Sequence, residues 1–184
     1  MPAKKLVKRE AILAAALSLL EEEGSGALNA RAIAARLGCS TQPIYLSFSG
    51  MEELRAALLA ACKEQLGAYL AAERQANFFT AMQIGYIRFA YEKPHLFQFI
   101  YMENPLQTDE ADVRFMEATI REIMRLGGYP EAVARRFYFG AWFFMHGIAC
   151  RMMTHFDDLR WEDILALVDD QFHAMKQFYG GLKE

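Results

Sequence analysis

Apolar residues recur at three- and four-residue spacing almost throughout the chain, and no stretch alternates with period two for long enough to predict a strand. The pattern predicts an all-α protein of about nine helices. Ile12, Leu13, Ala16, Leu17 and Leu20 share one face of a first helix over residues 5–23, which Gly24-Ser25-Gly26 stops. A short second helix, 30–37, has Asn29 as its expected N-cap and Gly38 as its left-handed end. The third follows almost at once, capped by Ser40, with Thr41-Gln42-Pro43 as its first turn, where the missing proline N–H has no helical partner to lose.

Ser49-Gly50 separates this helix from a long fourth one, 51–75, whose Glu52 and Glu53 suit the positive end of the helix dipole. A fifth helix is predicted over 78–92, and a sixth, opened by Pro94, over 94–102, before a polar loop that begins at Asn104-Pro105. The seventh, 109–126, should turn Val113, Met116, Ile120 and Ile123 inward and end at Gly127-Gly128. The eighth, 131–153, is apolar nearly all round and must be covered on both sides. The ninth, 161–179, carries a single stripe from Trp161 to Tyr179.

Composition narrows the class. With 184 residues, 54% hydrophobic and 23% charged, the chain can bury a sizeable core, and its length excludes a large multi-domain enzyme. The longest uncharged apolar run, residues 137–150, is too short to span a membrane and contains His146. Lys4, Lys5, Lys8 and Arg9 are followed by Glu10, not by the apolar segment of a signal peptide, so a cytoplasmic location is expected, and three widely spaced cysteines suit a reducing compartment. Net charge is −3, yet residues 1–49 hold six Lys/Arg against four Glu. A short basic end on an acidic body fits a protein that meets a polyanion at that end.

Two short helices joined by a Gly-containing turn and packed on a preceding helix meet the sequence requirements of a helix-turn-helix. The exposed positions of its second helix would be Thr41, Gln42, Tyr45 and Ser47, all able to meet base edges or phosphates. The segment combines Ile33-Ala34, Leu37-Gly38-x-Ser40, Tyr45-x-x-Phe48 and Glu52-Glu53-Leu54. In this combination it resembles the DNA-binding domain of the TetR (tetracycline-repressor-type) family. The resemblance implies that Tyr45 reaches a phosphate and that Phe48 locks the recognition helix onto the core. The DNA-facing set is then Lys4, Lys5, Lys8, Asn29, Arg31, Ser40, Thr41, Gln42, Pro43, Tyr45 and Ser47. Leu46, Ser47 and Met51 depart from the usual basic residue, His and Lys of the family, so phosphate attraction should be weaker.

Further on, Tyr86-Ile-Arg88-Phe89-Ala90 through Pro94-His-Leu-Phe97, and Trp142-x-x-x-His146-Gly147, resemble a recurring effector domain of such regulators. The resemblance implies a helix-turn-helix domain over 1–50 and a ligand-binding and dimerisation domain over 51–184. Its ligand cavity would lie among the fourth to eighth helices. Candidate lining residues are Leu66, Tyr69, Met82, Tyr86, Phe89, Phe97, Tyr101, Phe115, Met116, Phe139, Trp142 and His146, since Met adapts its shape and Tyr supplies directed hydrogen bonds. Dimerisation is assigned to Phe137, Ala141, Phe144 and Ile148 of the eighth helix and to Trp161, Leu165, Val168, Phe172 and Met175 of the ninth, because neither stripe can be left wet.

The expected function is a homodimeric, ligand-responsive regulator, a repressor of a pseudo-palindromic operator in double-stranded DNA, released by a small apolar or aromatic effector. The alternative is a helical protein of the same fold that binds small molecules without an operator. No paired nucleophile and base and no Gly-rich phosphate loop argue for an enzyme. No cofactor or membrane partner is called for. His95, His146, His155 and His173 share no i, i+4 spacing with one another and have no adjacent Cys, so no metal site is expected.

Overall fold

The computed structural model describes residues 7–73, 77–104, 109–154 and 159–180, and among these the chain is helical with no strand. The helices are α1 (Arg9–Glu23), α2 (Ala30–Leu37), α3 (Gln42–Ser47), α4 (Met51–Ala72), α5 (Phe78–Glu92), α6 (Pro94–Gln98), α7 (Glu110–Gly127), α8 (Glu131–Met153) and α9 (Trp161–Gly180). No helix among the described residues is long and apolar enough to cross a membrane. The chain divides into two compact units, Met1–Gly67 with Lys93–Asn104, and Ala68–Glu92 with Pro105–Glu184.

In the first unit α1 packs on α2, α3 and α6. Its core joins Ile12, Ala16, Leu19 and Leu20 of α1 to Ile33, Ile44, Phe48, Leu54 and Leu58, with Leu96, Phe97 and Phe99 from the later segment. Local chemistry sets the element ends. Asn29 Oδ1 accepts the Ala32 N–H at 2.9 Å, as its position predicts. Gly38 is left-handed at φ 64°, with its N–H on Ala35 O and the Cys39 N–H on Ala34 O, which is a Schellman end. Thr41, not Ser40, precedes the first residue of α3, and its backbone is already helical, so no side-chain cap forms. Pro94 opens α6 as expected, but beyond Gln98 the chain widens into a π turn, Phe99–Glu103, which buries Phe99 and Ile100 together and ends where Asn104 Nδ2 donates to Phe99 O. Lys93 and Glu21 form an ion pair, and the His95 ring lies on the Glu21 carbonyl.

The second unit is built round α5, which is buried on nearly every face and packs on α8 and α9. Gly85 is required there: a Cβ would stand 2.4 Å from the Tyr69 carbonyl oxygen. Tyr69 also donates to Glu92 at 2.7 Å and meets Phe89 edge-on. A capping box of Asp109 and Asp112 starts α7, and Gly128 ends it. Phe79, Met82, Ile120, Ile123, Tyr129, Val133, Ala134, Phe137 and Ala141 form one core. Ile120 and Ile123 point inward as predicted, but Val113, two turns nearer the start of α7, is 44% exposed.

Candidate nucleic-acid interface and effector cavity

Helices α2 and α3 and the turn between them form the helix-turn-helix. Ile44 and Phe48, each 1% exposed, fasten α3 to the unit's core, so its opposite face must be wet. That face carries Gln42, Tyr45 (56% exposed) and Leu46 (78%). Ser40 is exposed, while Thr41, Pro43 and Ser47 are half-buried. Asn29 is exposed, but both ends of its amide are engaged, Nδ2 with Ala27 O and Oδ1 with Ala32 N. Lys8 and Arg31 are exposed; Lys4 and Lys5 lie outside the described residues.

Two arginines of this region, both at the surface, are engaged with other groups of the chain. Arg9 donates to the Ser47 carbonyl, pairs with Glu53 at 2.9 Å and lies 3.8 Å above the Phe48 ring. Glu53 also accepts the Ser49 N–H at 2.7 Å, and these bonds hold its carboxyl below its usual pKa. Arg9 therefore joins the end of α3 to the start of α4. Arg36 forks onto Glu22 at 2.8 and 2.7 Å and bonds Ser18. Hydrogen bonds from Arg36 and then Ser18 hold Glu22 down to about 2. Partners so distant in sequence carry no local signal, which is why the sequence reading missed both clamps.

In the second unit a cavity of about 360 Å³ opens between α5, α7, α8 and α9. Phe78, Phe79, Ile123, Tyr129, Phe137 and Phe172 make its apolar wall, and Asn77, Thr119, Glu122 and Lys176 bring polar groups to it. None of the twelve candidate ligand residues lines it. Met82 is in the adjoining core and Met116 packs against that core. Tyr69 and Phe89 are engaged with each other, Phe115 and Phe139 stand outward, and Leu66, Phe97 and Tyr101 belong to the first unit, where the last two rings meet at a tilt of 45°.

Tyr86, Trp142 and His146 do come together. The Tyr86 hydroxyl is 2.8 Å from His146 Nδ1, and Trp142 stacks on the imidazole at 4.9 Å. Burial pushes His146 below its usual pKa. Cys150 Sγ lies 3.6 Å from His146 Nε2, one helical turn on, an i, i+4 pair the sequence reading passed over. Among the described residues no three His, Cys, Asp or Glu side chains are placed to hold a metal ion.

The dimer assignment needs correction on α8 and α9. Phe137, Ala141 and Val168 are buried within the chain itself, and Phe137 meets Phe79, Phe172 and Tyr179, so these three cannot form an outer face. The apolar side chains facing out are Phe139, Phe143 (65% exposed), Leu167 and Phe178 (68%). Phe144, Ile148, Trp161, Leu165, Phe172 and Met175 are half-buried.

Helix α3, held by the buried Ile44 and Phe48 with Gln42 and Tyr45 turned out, lies in a segment that a family model matches. Residues 12–58 match the family model of the bacterial regulatory proteins, tetR family. The match spans α2 and α3, most of α1 and the start of α4, so the tetR-type helix-turn-helix and the helices that brace it are matched together. No curated protein matches the chain. Solved structures share the fold over nearly the whole length. A protein of unknown function from Rhodococcus sp. RHA1 is 23% identical, with a TM-score of 0.69 over 94% of this chain and 96% of that one. A TetR-like transcriptional regulator from the same source is 17% identical, with a TM-score of 0.60 over 99% and 100%. A TetR variant from Acinetobacter baumannii AYE, in complex with minocycline, is 17% identical, with a TM-score of 0.63 over 97% and 99%.

Proposed function

We infer that the protein is a homodimeric, DNA-binding transcriptional regulator of the TetR type, a repressor released from its operator by a small apolar or aromatic effector. The observation that carries this reading is the coincidence of the tetR family match with a helix-turn-helix whose second helix turns Gln42 and Tyr45 outward. Helix α3 enters the major groove with Thr41 and Gln42 at base edges and Tyr45 on a phosphate, while Lys8 and Arg31 meet the backbone. Two copies, joined through the outward apolar side chains of α8 and α9, present two such helices to half-sites about 34–36 Å apart, and an isologous contact makes the operator a pseudo-palindrome.

The effector occupies the cavity of the second unit, whose walls include five aromatic rings. It acts by binding better to the conformation in which the recognition helices are wrongly spaced. The minocycline complex of the Acinetobacter relative supports an effector of some kind and says nothing of which. A second reading, an effector-binding protein with no operator, is favoured by one observation: Arg9 and Arg36 are engaged with other groups of the chain and α3 itself carries no cation. Selection from a randomised duplex library at low salt separates the two. Enrichment of a two-fold motif supports the regulator; recovery of no motif, with the protein dimeric and folded, leaves the second reading.

A further inference from the structure

Gln83 is completely buried on α5, and neither its amide nitrogen nor its amide oxygen has a hydrogen-bond partner in the protein. No other described side chain is buried with both polar ends unpaired. Buried donors and acceptors are nearly always satisfied, because losing water without replacement is costly. An orphaned carboxamide in a closed core is therefore the mark of a group that something else completes.

Its surroundings say what that would be. At about 100° per residue, Gln83 shares a helix face with Phe79 and Tyr86, within about 60° of each. Phe79 meets Phe137 of α8 with ring centroids 5.2 Å apart, and Tyr86 reaches His146 of the same helix. Between those two anchor points α8 offers Ala141 and Met145, both buried, the first no more than a methyl group wide. Phe79 and Phe137 are also wall residues of the 360 Å³ cavity, so Gln83, which does not itself line it, sits one turn further along α5 from that wall.

We propose that Gln83 is the polar anchor of the effector site, and that the effector carries a primary carboxamide or a lactam on an aromatic body. This rests on the effector part of the function proposed above. A glutamine amide presents a donor and an acceptor side by side in one plane, so it is completed by a partner with the same pair in the opposite sense. A cis-disposed N–H and C=O, as in a carboxamide or a lactam ring, has that pair; a ketone or ester has half of it, and a hydrocarbon none. The aromatic body fits the Phe79, Phe137 and Phe172 surfaces.

The test uses the full chain without DNA, so its result is independent of operator binding. Thermal unfolding is followed with benzamide and isoindolin-1-one, and with their shape-matched analogues acetophenone and indane. Benzamide and isoindolin-1-one are expected to raise Tm, with apparent affinity at least about tenfold above their analogues. Gln83→Leu, and Gln83→Met as a length-preserving second variant, should abolish that difference. They should also raise the Tm of the free protein by roughly 2–8 °C, since an unpaired buried amide is removed. The proposal is overturned if the amide probes stabilise no better than their analogues, if the preference survives in both variants, or if both variants lower Tm, which would mean that buried water or the protein already satisfies the amide. Tight binding of indane that ignores Gln83 would sink this inference and leave the effector reading standing.

Discussion

Replacing Arg31 and Arg36 by glutamine, one at a time, separates cations that face DNA from cations that face the protein. Six Lys/Arg lie in residues 1–49. Arg9 and Arg36 hold Glu53 and Glu22 at 2.9 and 2.7 Å, so four are left for phosphate: Lys4, Lys5, Lys8 and Arg31. A dimer then neutralises at most about eight phosphates, and at about −0.9 per phosphate the slope of log K against log salt is no steeper than about −7. Over a fourfold rise in salt, from about 50 to 200 mM, that costs about 10⁴ in affinity. Arg31→Gln removes two charges from the dimer, lowers the slope by about 1.8 and makes the same loss about tenfold smaller. Arg36→Gln should leave the slope where it was and lower the Tm. Fluorescence anisotropy on the selected duplex, repeated across the salt series, measures both. A slope near −11 for the unaltered protein, or an equal loss of slope in the two variants, would show that the engaged arginines reach DNA and that the clamps are not held.

Three other outcomes follow from the same geometry. Because Glu22 is held down to about 2, its charged form is favoured by folding; the contribution is full above the ordinary 4.5 and is lost as pH falls from there towards 2. The Tm gap between the unaltered protein and Glu22→Gln should accordingly narrow over that window, and a gap constant with pH would contradict the pairing. Phe143→Glu alters an exposed side chain, so the folded protomer should persist while sedimentation at micromolar concentration reports monomers; an unchanged dimer would move the interface elsewhere. Gly85→Ala forces a methyl group to 2.4 Å from the Tyr69 carbonyl oxygen and should cost about 1–3 kcal/mol in urea unfolding, whereas an unchanged midpoint would mean that α4 and α5 do not meet as described.

The parts of the fold legible in the sequence are those decided locally. Asn29, Gly38, Pro94 and Gly128 each act on backbone groups a few residues away, and the helix ends they set agree with the structure. The recognition face of α3 is of the same kind, since burying Ile44 and Phe48 leaves Gln42 and Tyr45 outside. Charge partners are not local. Arg9 and Glu53 are 44 positions apart, and a count of cations by segment treats an engaged arginine and a free one alike.

Helix α8 shows a different limit. Periodicity sorts its residues into faces, but when both faces are apolar it does not say which one the rest of the chain covers. The expected outer face, Phe137 and Ala141, turned out to be the inner one, because α5, α7 and α9 supply Phe79, Ile123 and Phe172 on that side. The same ambiguity hid Gln83. In sequence, Thr80 and Gln83 lie three residues apart as polar positions among apolar ones. In the fold α5 is enclosed there too, and neither end of the amide has a partner in the protein. Hydrophobic patterning therefore locates a core, whereas a polar group that the pattern would place in water and the fold does not is the signal for a ligand, and it becomes visible when the neighbouring helices are in place.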